Sequence, residues 1–207
     1  PMLIQAKAMV NNLEIGRVRK VMVEYPQGWL SEKLESTGQK QAVWRSDPQK
    51  AGKSNCFGDI GTHCGYLAEY ISGLRITEVL SGLNVFVPGR SLDDDADVLF
   101  KMEQGVKGVI SASQVAQGDE NNLKFRIYGE KGALEWSNND HNTLLVKKQG
   151  MPTQIFRSGL DNSYLHDETH LNMRTPSGHP EGYIEAFANI YKYFSEDVKK
   201  YRADPTK

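Results

Sequence analysis

The chain has 207 residues, 39% hydrophobic and 25% charged, with a formal net charge of -1. Those proportions suit a soluble globular protein of one large or two small domains. They offer no clustered basic surface for nucleic acid, no apolar run near the ~18 residues that span a bilayer, and, with Cys56 and Cys64 as the cysteines, no secreted disulfide framework. The start, Pro1-Met2-Leu3-Ile4, shows no basic leader or cleavage site, so the expectation is a reduced, cytoplasmic protein, processed or truncated ahead of Pro1.

In chain order, Met2 to Asn12 reads as an amphipathic helix, with Leu3, Ala6 and Val10 on one face and Gly16 as a stop. Arg17 to Tyr25 alternates as a strand. Pro26 to Lys53 is irregular, although Trp29 and Trp44 argue against disorder. Phe57 to Ser72 reads as a helix closed by Gly73. The period then changes. Strands are expected over Ile76 to Val87, Ala96 to Met102, Val106 to Val115, Leu123 to Tyr128, Gly132 to Trp136, Thr143 to Lys148 and Thr153 to Phe156. Ser158 to Ser177 reads as loop. Pro180 is expected to open a last helix with Ile184, Phe187, Tyr191, Phe194 and Val198 as its apolar stripe. Strands grouped together and joined by short turns predict an α+β fold: a large, mostly antiparallel, open-faced sheet with helices packed on one face.

Gly58-Asp59-Ile60-Gly61-Thr62-His63 is the segment richest in chemistry. Four residues of helix set the Asp59 carboxylate and the His63 imidazole about 40° apart on one face. A neighbouring carboxylate can orient an imidazole and favour its protonated form, which suits proton transfer at a hydroxyl near neutral pH. A surface ion pair or a satisfied, partly buried histidine is the plainer alternative. Ile60, Cys64, Leu67 and Ile71 should face the core, while Gly58, Gly61 and Gly65 form a stripe without side chains, for packing on the sheet or for a ligand's close approach.

Gly-Asp-Ile-Gly-Thr-His resembles the Asp-x-x-x-His motif in the C-terminal domain of the glucose–fructose oxidoreductase / inositol dehydrogenase / MocA family. Arg17-Lys20-Val21-Val23-Glu24-Tyr25 is similar to that domain's first strand. Trp44-Arg45-Ser46-Asp47-Pro48 is similar to the segment before its active-site helix. Gly178-His179-Pro180-Glu181-Gly182-Tyr183 with Glu185-Ala186-Phe187 is similar to its closing helix. The resemblance runs almost end to end. It implies that residues 1–207 form the substrate-binding and oligomerisation domain of an NAD- or NADP-dependent oxidoreductase of sugars, polyols or related hydroxy compounds.

On that pattern His63 is the acid/base at the substrate oxygen, and Asp59 contacts and positions substrate. Tyr25, Gln27, Trp29, Arg45 and His179 are candidate substrate contacts, and Trp44 and Arg45 are similar to positions that border the cofactor or the substrate. The family's Glu-Lys-Pro lysine and the Gly-x-Gly-x-x-Gly turn are absent from this sequence. The expectation is therefore that the N-terminal Rossmann domain lies outside this chain, that the chain alone binds no cofactor and is inactive, and that it forms a homo-oligomer through its sheet. A non-catalytic sugar-binding or dimerisation module, and an NAD-dependent redox-neutral glycosidase, stand as alternatives.

Two further clusters read as non-functional. His166-Asp167-Glu168-Thr169-His170 lacks the zincin order and a third ligand, so no metal is expected there. Asp93-Asp94-Asp95 with Asp97 lacks the calcium-loop glycine and terminal glutamate and reads as a solvated turn.

Overall fold

Alternating apolar and polar residues put alternate side chains on opposite faces of a strand, and here that alternation assembles one sheet. The computed structural model describes residues 1–204. Its strands are β1 (Val18–Pro26), β2 (Ile76–Asn84), β3 (Asp95–Met102), β4 (Lys107–Ser113), β5 (Lys124–Gly129), β6 (Gly132–Ser137), β7 (Thr143–Lys148) and β8 (Gln154–Arg157). They lie in the order β2-β3-β4-β1-β5-β6-β7-β8. β1 and β4 run parallel, with Val23 beside Ile110 and Pro26 beside Ser113. The other neighbours are antiparallel, so the open, mostly antiparallel sheet expected from the sequence is what forms.

The buried face carries Val21, Val23, Val98, Ile110, Phe125, Ile127, Leu134, Trp136, Leu144 and Val146. Helix α1 (Met2–Asn11) covers it near β6 and β7, and helix α4 (Thr62–Ser72) covers it near β1 and β4. Met2, Ala6, Met9 and Val10 from α1 join Cys64, Leu67, Ala68 and Ile71 from α4 in the same cluster. Each large side chain so buried stabilises the fold by roughly 1.5–3 kcal/mol. Gly73 ends α4 at φ +70°, a left-handed conformation glycine adopts without strain, and its N–H donates to the Glu69 carbonyl. Among the described residues no helix covers the opposite sheet face, and Leu80 (71% exposed) and Leu99 stand there in the open. No helix among the described residues is long and apolar enough to cross a membrane.

Several expectations need correction. The stretch from Pro26 to Lys53 holds a 3-10 turn over Leu34–Thr37 and two short helices, α2 (Lys40–Ser46) and α3 (Pro48–Ala51). The expected loop from Ser158 to Ser177 contains α5 (Asp167–His170). Pro180 does not open the last helix. That helix, α6, is Tyr183–Ala203, and at its head the Glu185 carboxylate accepts from the Gly182 N–H at 2.9 Å. Its predicted apolar stripe exists, but no residue of α6 is buried.

The Asp93–Asp95 turn is not solvated. Asp94 is 0% exposed and accepts from the Phe86 and Val87 N–H groups at 2.8 and 3.0 Å, which takes the chain off the ladder and ends β2 at Asn84 rather than Val87. Arg90, whose side chain is buried, pairs with Asp94 and Glu35 and donates to the Leu30 and Glu32 carbonyls. One guanidinium thereby ties the segment after β1 to the β2–β3 connection. His166 is likewise structural in its contacts: its ring meets Glu14 Oε1 at 2.8 Å and its N–H donates to Gln5 of α1. No group of three or more His, Cys, Asp or Glu side chains among the described residues could hold a metal ion.

Candidate functional site

The parallel strands β1 and β4 finish together, and the chain beyond each stays joined to the other. The Gln27 N–H donates to the Ser113 carbonyl at 2.7 Å, and Leu30 N–H to the Gln114 carbonyl at 2.9 Å. At this end of the sheet sits the head of the helix predicted from Phe57. Its first turn, Phe57–Gly61, is π-helical, with the Thr62 N–H reaching back to the Phe57 carbonyl, and only then does α4 begin. Such turns recur at functional sites because they re-aim side chains within a helix. Asp93 holds this head in place: its two carboxylate oxygens accept from the Asn55 and Phe57 N–H groups at 2.9 and 2.7 Å. A carboxylate there also complements the positive end of the helix dipole.

The structure brings seven of the sequence-predicted residues into one neighbourhood. Asp59 Oδ2 accepts from Arg45 Nε at 2.8 Å and from Gln114 Nε2 at 2.9 Å, and Oδ1 accepts from Arg45 Nη2 at 3.2 Å. The Arg45 guanidinium lies 5.8 Å from the Trp29 ring centroid and 5.4 Å from that of Trp44. The Trp29 indole donates to Gln27 Oε1 at 3.0 Å. Gln27 Nε2 and the Tyr25 hydroxyl both donate to Asn121 Oδ1 at 2.7 Å. The Tyr25 ring stands edge-on to His63, centroids 6.2 Å apart.

His63 is exposed, and its side chain makes no hydrogen bond to another described residue. Asp59 and His63, read from the sequence as sharing one helix face, take different partners: the carboxylate's bonds run to Arg45 and Gln114, and the histidine's ring contact is with Tyr25. Burial raises the Tyr25 phenol above its ordinary value, and the nearby Cys64 and Asp59 add to the rise against the opposing pull of its bonds to Gln27 and Asn121. Tyr25 therefore stays protonated and serves as a donor. Burial likewise pushes the Cys64 thiol up to about 12, which leaves it unreactive. His179 is not part of this group. It is exposed near the head of α6, its Nδ1 3.4 Å from the Ser177 carbonyl.

Gln114 and Asn121 were not singled out in the sequence. Each lies beside a strand end, and only the pairing of β4 and β5 with β1 brings them to Asp59 and Tyr25. The glycine stripe has two explanations. A Cβ on Gly61 would strike the Phe57 ring at 2.2 Å, so that glycine accommodates its own helix's aromatic group, whereas a Cβ on Gly65 would meet nothing within 4 Å. The sheet does not press on Gly65.

Chemically, the cluster offers an exposed imidazole, a carboxylate paired with a guanidinium, amide groups and an indole face. That set suits hydroxyl groups on a carbon skeleton. Gly129-Glu130-Lys131-Gly132 is a hairpin turn between β5 and β6 that opens no helix, and Arg45 is already committed to Asp59. Trp44, 49% exposed, is left as a wall.

A family model described as the GFO/IDH/MocA C-terminal domain matches residues 3–135. An uncharacterized oxidoreductase of Bacillus subtilis (strain 168), YfiI, is 36% identical over 200 residues, which cover 94% of this chain and 49% of the relative. A solved inositol dehydrogenase homolog from Azotobacter vinelandii, complexed with NAD+, is 37% identical with a TM-score of 0.86, covering 92% of this chain and 49% of that one. A structure of such a homolog complexed with NADH and myo-inositol, from the same organism, is 34% identical with a TM-score of 0.82, covering 92% and 48%. The chain thus spans about half the length of the relatives it matches.

Proposed function

This chain belongs to the GFO/IDH/MocA family, and from that premise we propose that residues 1–207 are the substrate-binding and oligomerising domain of an NAD- or NADP-dependent oxidoreductase acting on a sugar, polyol or related hydroxy compound. A Rossmann domain outside this chain holds the cofactor; the match to about half of a homolog complexed with NAD+ supports this reading. The proposal is supported by the half-length match to an inositol dehydrogenase homolog solved with NADH and myo-inositol. The observation that carries it is the exposed His63 imidazole set against Tyr25 at the end of a network of carboxylate, guanidinium and amide groups.

A nicotinamide held by the Rossmann domain would supply the hydride acceptor for the substrate carbon. This chain does the rest. His63 accepts the hydroxyl proton as the C–O bond becomes a carbonyl, and returns it in the reverse direction. Asp59 accepts a hydrogen bond from a substrate hydroxyl, which positions the reacting carbon. Gln27 supplies amide groups for neighbouring hydroxyls, and the Trp29 face packs against C–H groups. Arg45 contributes by holding the Asp59 carboxylate in place through two charge-assisted hydrogen bonds. His179 sits apart from these residues and is a substrate contact only for a molecule that extends toward the head of α6.

The uncovered sheet face is the surface through which copies of the domain associate. Leu80 and Leu99 lie exposed there beside Val109, with Lys20, Lys101 and Lys107 around a shallow depression of about 440 Å³. Sedimentation of the purified protein tests this: a monomer at all concentrations contradicts it. The setting proposed is the cytoplasm, where the free thiols of Cys56 and Cys64 stay reduced.

The functional test is net cofactor reduction. The intact enzyme, meaning this domain with its Rossmann partner, is incubated with NAD or NADP and a panel of neutral sugars and polyols that includes myo-inositol. Polyol-dependent formation of NADH or NADPH is expected. Turnover of a glycoside without net reduced cofactor would assign the redox-neutral reaction instead, and no turnover with any member would favour a binding module.

A further inference from the structure

Gln114 is a member of the network to which the proposed chemistry gives no role, and it is the one bonded to Asp59. It lies just past β4 and is 0% exposed. Its main chain is held on both sides, the N–H donating to the Asp94 carbonyl at 2.9 Å and the carbonyl accepting from Leu30 at 2.9 Å. Its side chain reaches Asp59, with Nε2 2.9 Å from Oδ2. The other end of the same amide, Oε1, is buried with no hydrogen-bond partner.

A half-satisfied amide in the interior is unfavourable, and an apolar side chain of the same shape would avoid that cost. Its presence therefore calls for a return from the satisfied end. The orientation is also fixed by chemistry, since the reversed amide would set two acceptors against each other at the carboxylate.

We propose that Gln114 is a positioning residue that acts through Asp59. Its N–H and the Arg45 Nε both bind Oδ2. Oδ1 accepts the longer Arg45 Nη2 bond alone and keeps acceptor capacity for a substrate hydroxyl. Two donors from different parts of the fold, one past β4 and one on α2, fix the carboxylate's rotation about its side-chain axis. Arg45 alone would let the pair swing together, because α2 belongs to the long connection after β1. With Gln114 in place, Asp59 is referred to the sheet end and cannot turn to His63. This rests on the reading of Asp59 as a substrate contact.

The test uses the intact enzyme with myo-inositol, followed by the other panel polyols, and compares two nearly isosteric variants. Gln114→Glu replaces the donor by a group that donates only when protonated. At pH 8 the introduced carboxylate opposes Asp59, and kcat/KM is expected to fall about 100-fold, the scale of a misplaced substrate contact. Two carboxyl groups at one site share a proton more readily as the pH falls. The ratio of variant to wild-type kcat/KM is therefore expected to rise about tenfold between pH 8 and about pH 5.5. Gln114→Met cannot regain a donor, and its ratio should be lowered about tenfold and stay flat with pH. The dissociation constant for NADH should be unchanged in both.

A flat ratio for Gln114→Glu, or wild-type kcat/KM in Gln114→Met, overturns the proposal. A general packing defect would depress both variants equally at every pH. His63→Ala run in parallel separates the two levels: if it loses activity while the Gln114 variants do not, only this inference falls. If His63→Ala turns over normally, the reading of the site falls and takes this inference with it.

Discussion

α4 and α6 both carry apolar residues at three- and four-residue spacing, yet α4 buries Cys64, Leu67, Ala68 and Ile71 whereas no residue of α6 is buried. In α6, Ile184 is 76% exposed and Phe194 67%. The helix is tethered through polar contacts, Tyr193 to Asn172 at 2.6 Å and Arg174 to Asn189. Periodicity therefore specifies that a helix has a face, and says nothing of what the face meets. α4 differs because its surroundings are also encoded. Asp93 caps its head, the sheet presents Val21, Val23 and Ile110 beneath it, and Gly73 stops it.

The contrast can be broken or sharpened by substitution. Arg90→Ala should have the largest effect on stability. It leaves the buried Asp94 carboxylate without its guanidinium partner and frees the segment after β1, at a cost of about 3–5 kcal/mol. Denaturant unfolding would show it, and a loss below about 1 kcal/mol would mean that this tether does not hold the site end together. Ile71→Ala on α4 should cost about 2–5 kcal/mol, as removal of a buried aliphatic side chain does.

A smaller effect concerns acid. Burial tends to raise the Glu35 carboxyl, but hydrogen bonds from Arg90 outweigh it, and its value in the folded chain lies below the ordinary one. Its contribution is therefore fully present above the unfolded glutamate value, about pH 4.3. It is lost as pH falls through the lower folded value. Glu35→Gln should flatten the acid limb of a stability-versus-pH curve. An unchanged limb would show that the Arg90 contact contributes nothing. The smallest effect is expected on α6: Phe194→Ala in this chain should change stability by less than about 0.5 kcal/mol. A loss comparable to that of Ile71→Ala would erase the distinction between the two helices.

What the sequence disclosed follows the same division. Local pattern was legible: the eight strands, the buried stripe of α4, the Gly73 stop and the segment that holds Asp59 and His63 all rest on residues a few positions apart. The partners of those residues were not. Gln114 and Asp59 are separated by 55 positions, and Tyr25 and Asn121 by 96; only sheet order joins them. Even for the local Asp59–His63 spacing the sequence did not disclose the carboxylate's donors, because Arg45 lies 14 positions away and Gln114 55. Asp93 and Asp94 read as solvent-facing on charge alone, whereas the main-chain N–H groups around them make burial favourable. The opening of α6 was misplaced because proline at a first helical turn is permitted, not required.

The account turns on His63 as the proton-moving group. In the intact enzyme, His63→Ala should lower polyol turnover by about 10²–10⁴-fold, while NADH binding stays as in the wild type. Near-normal turnover in that variant would contradict the assignment and leave Asp59, Arg45 and Gln114 as a structural clamp.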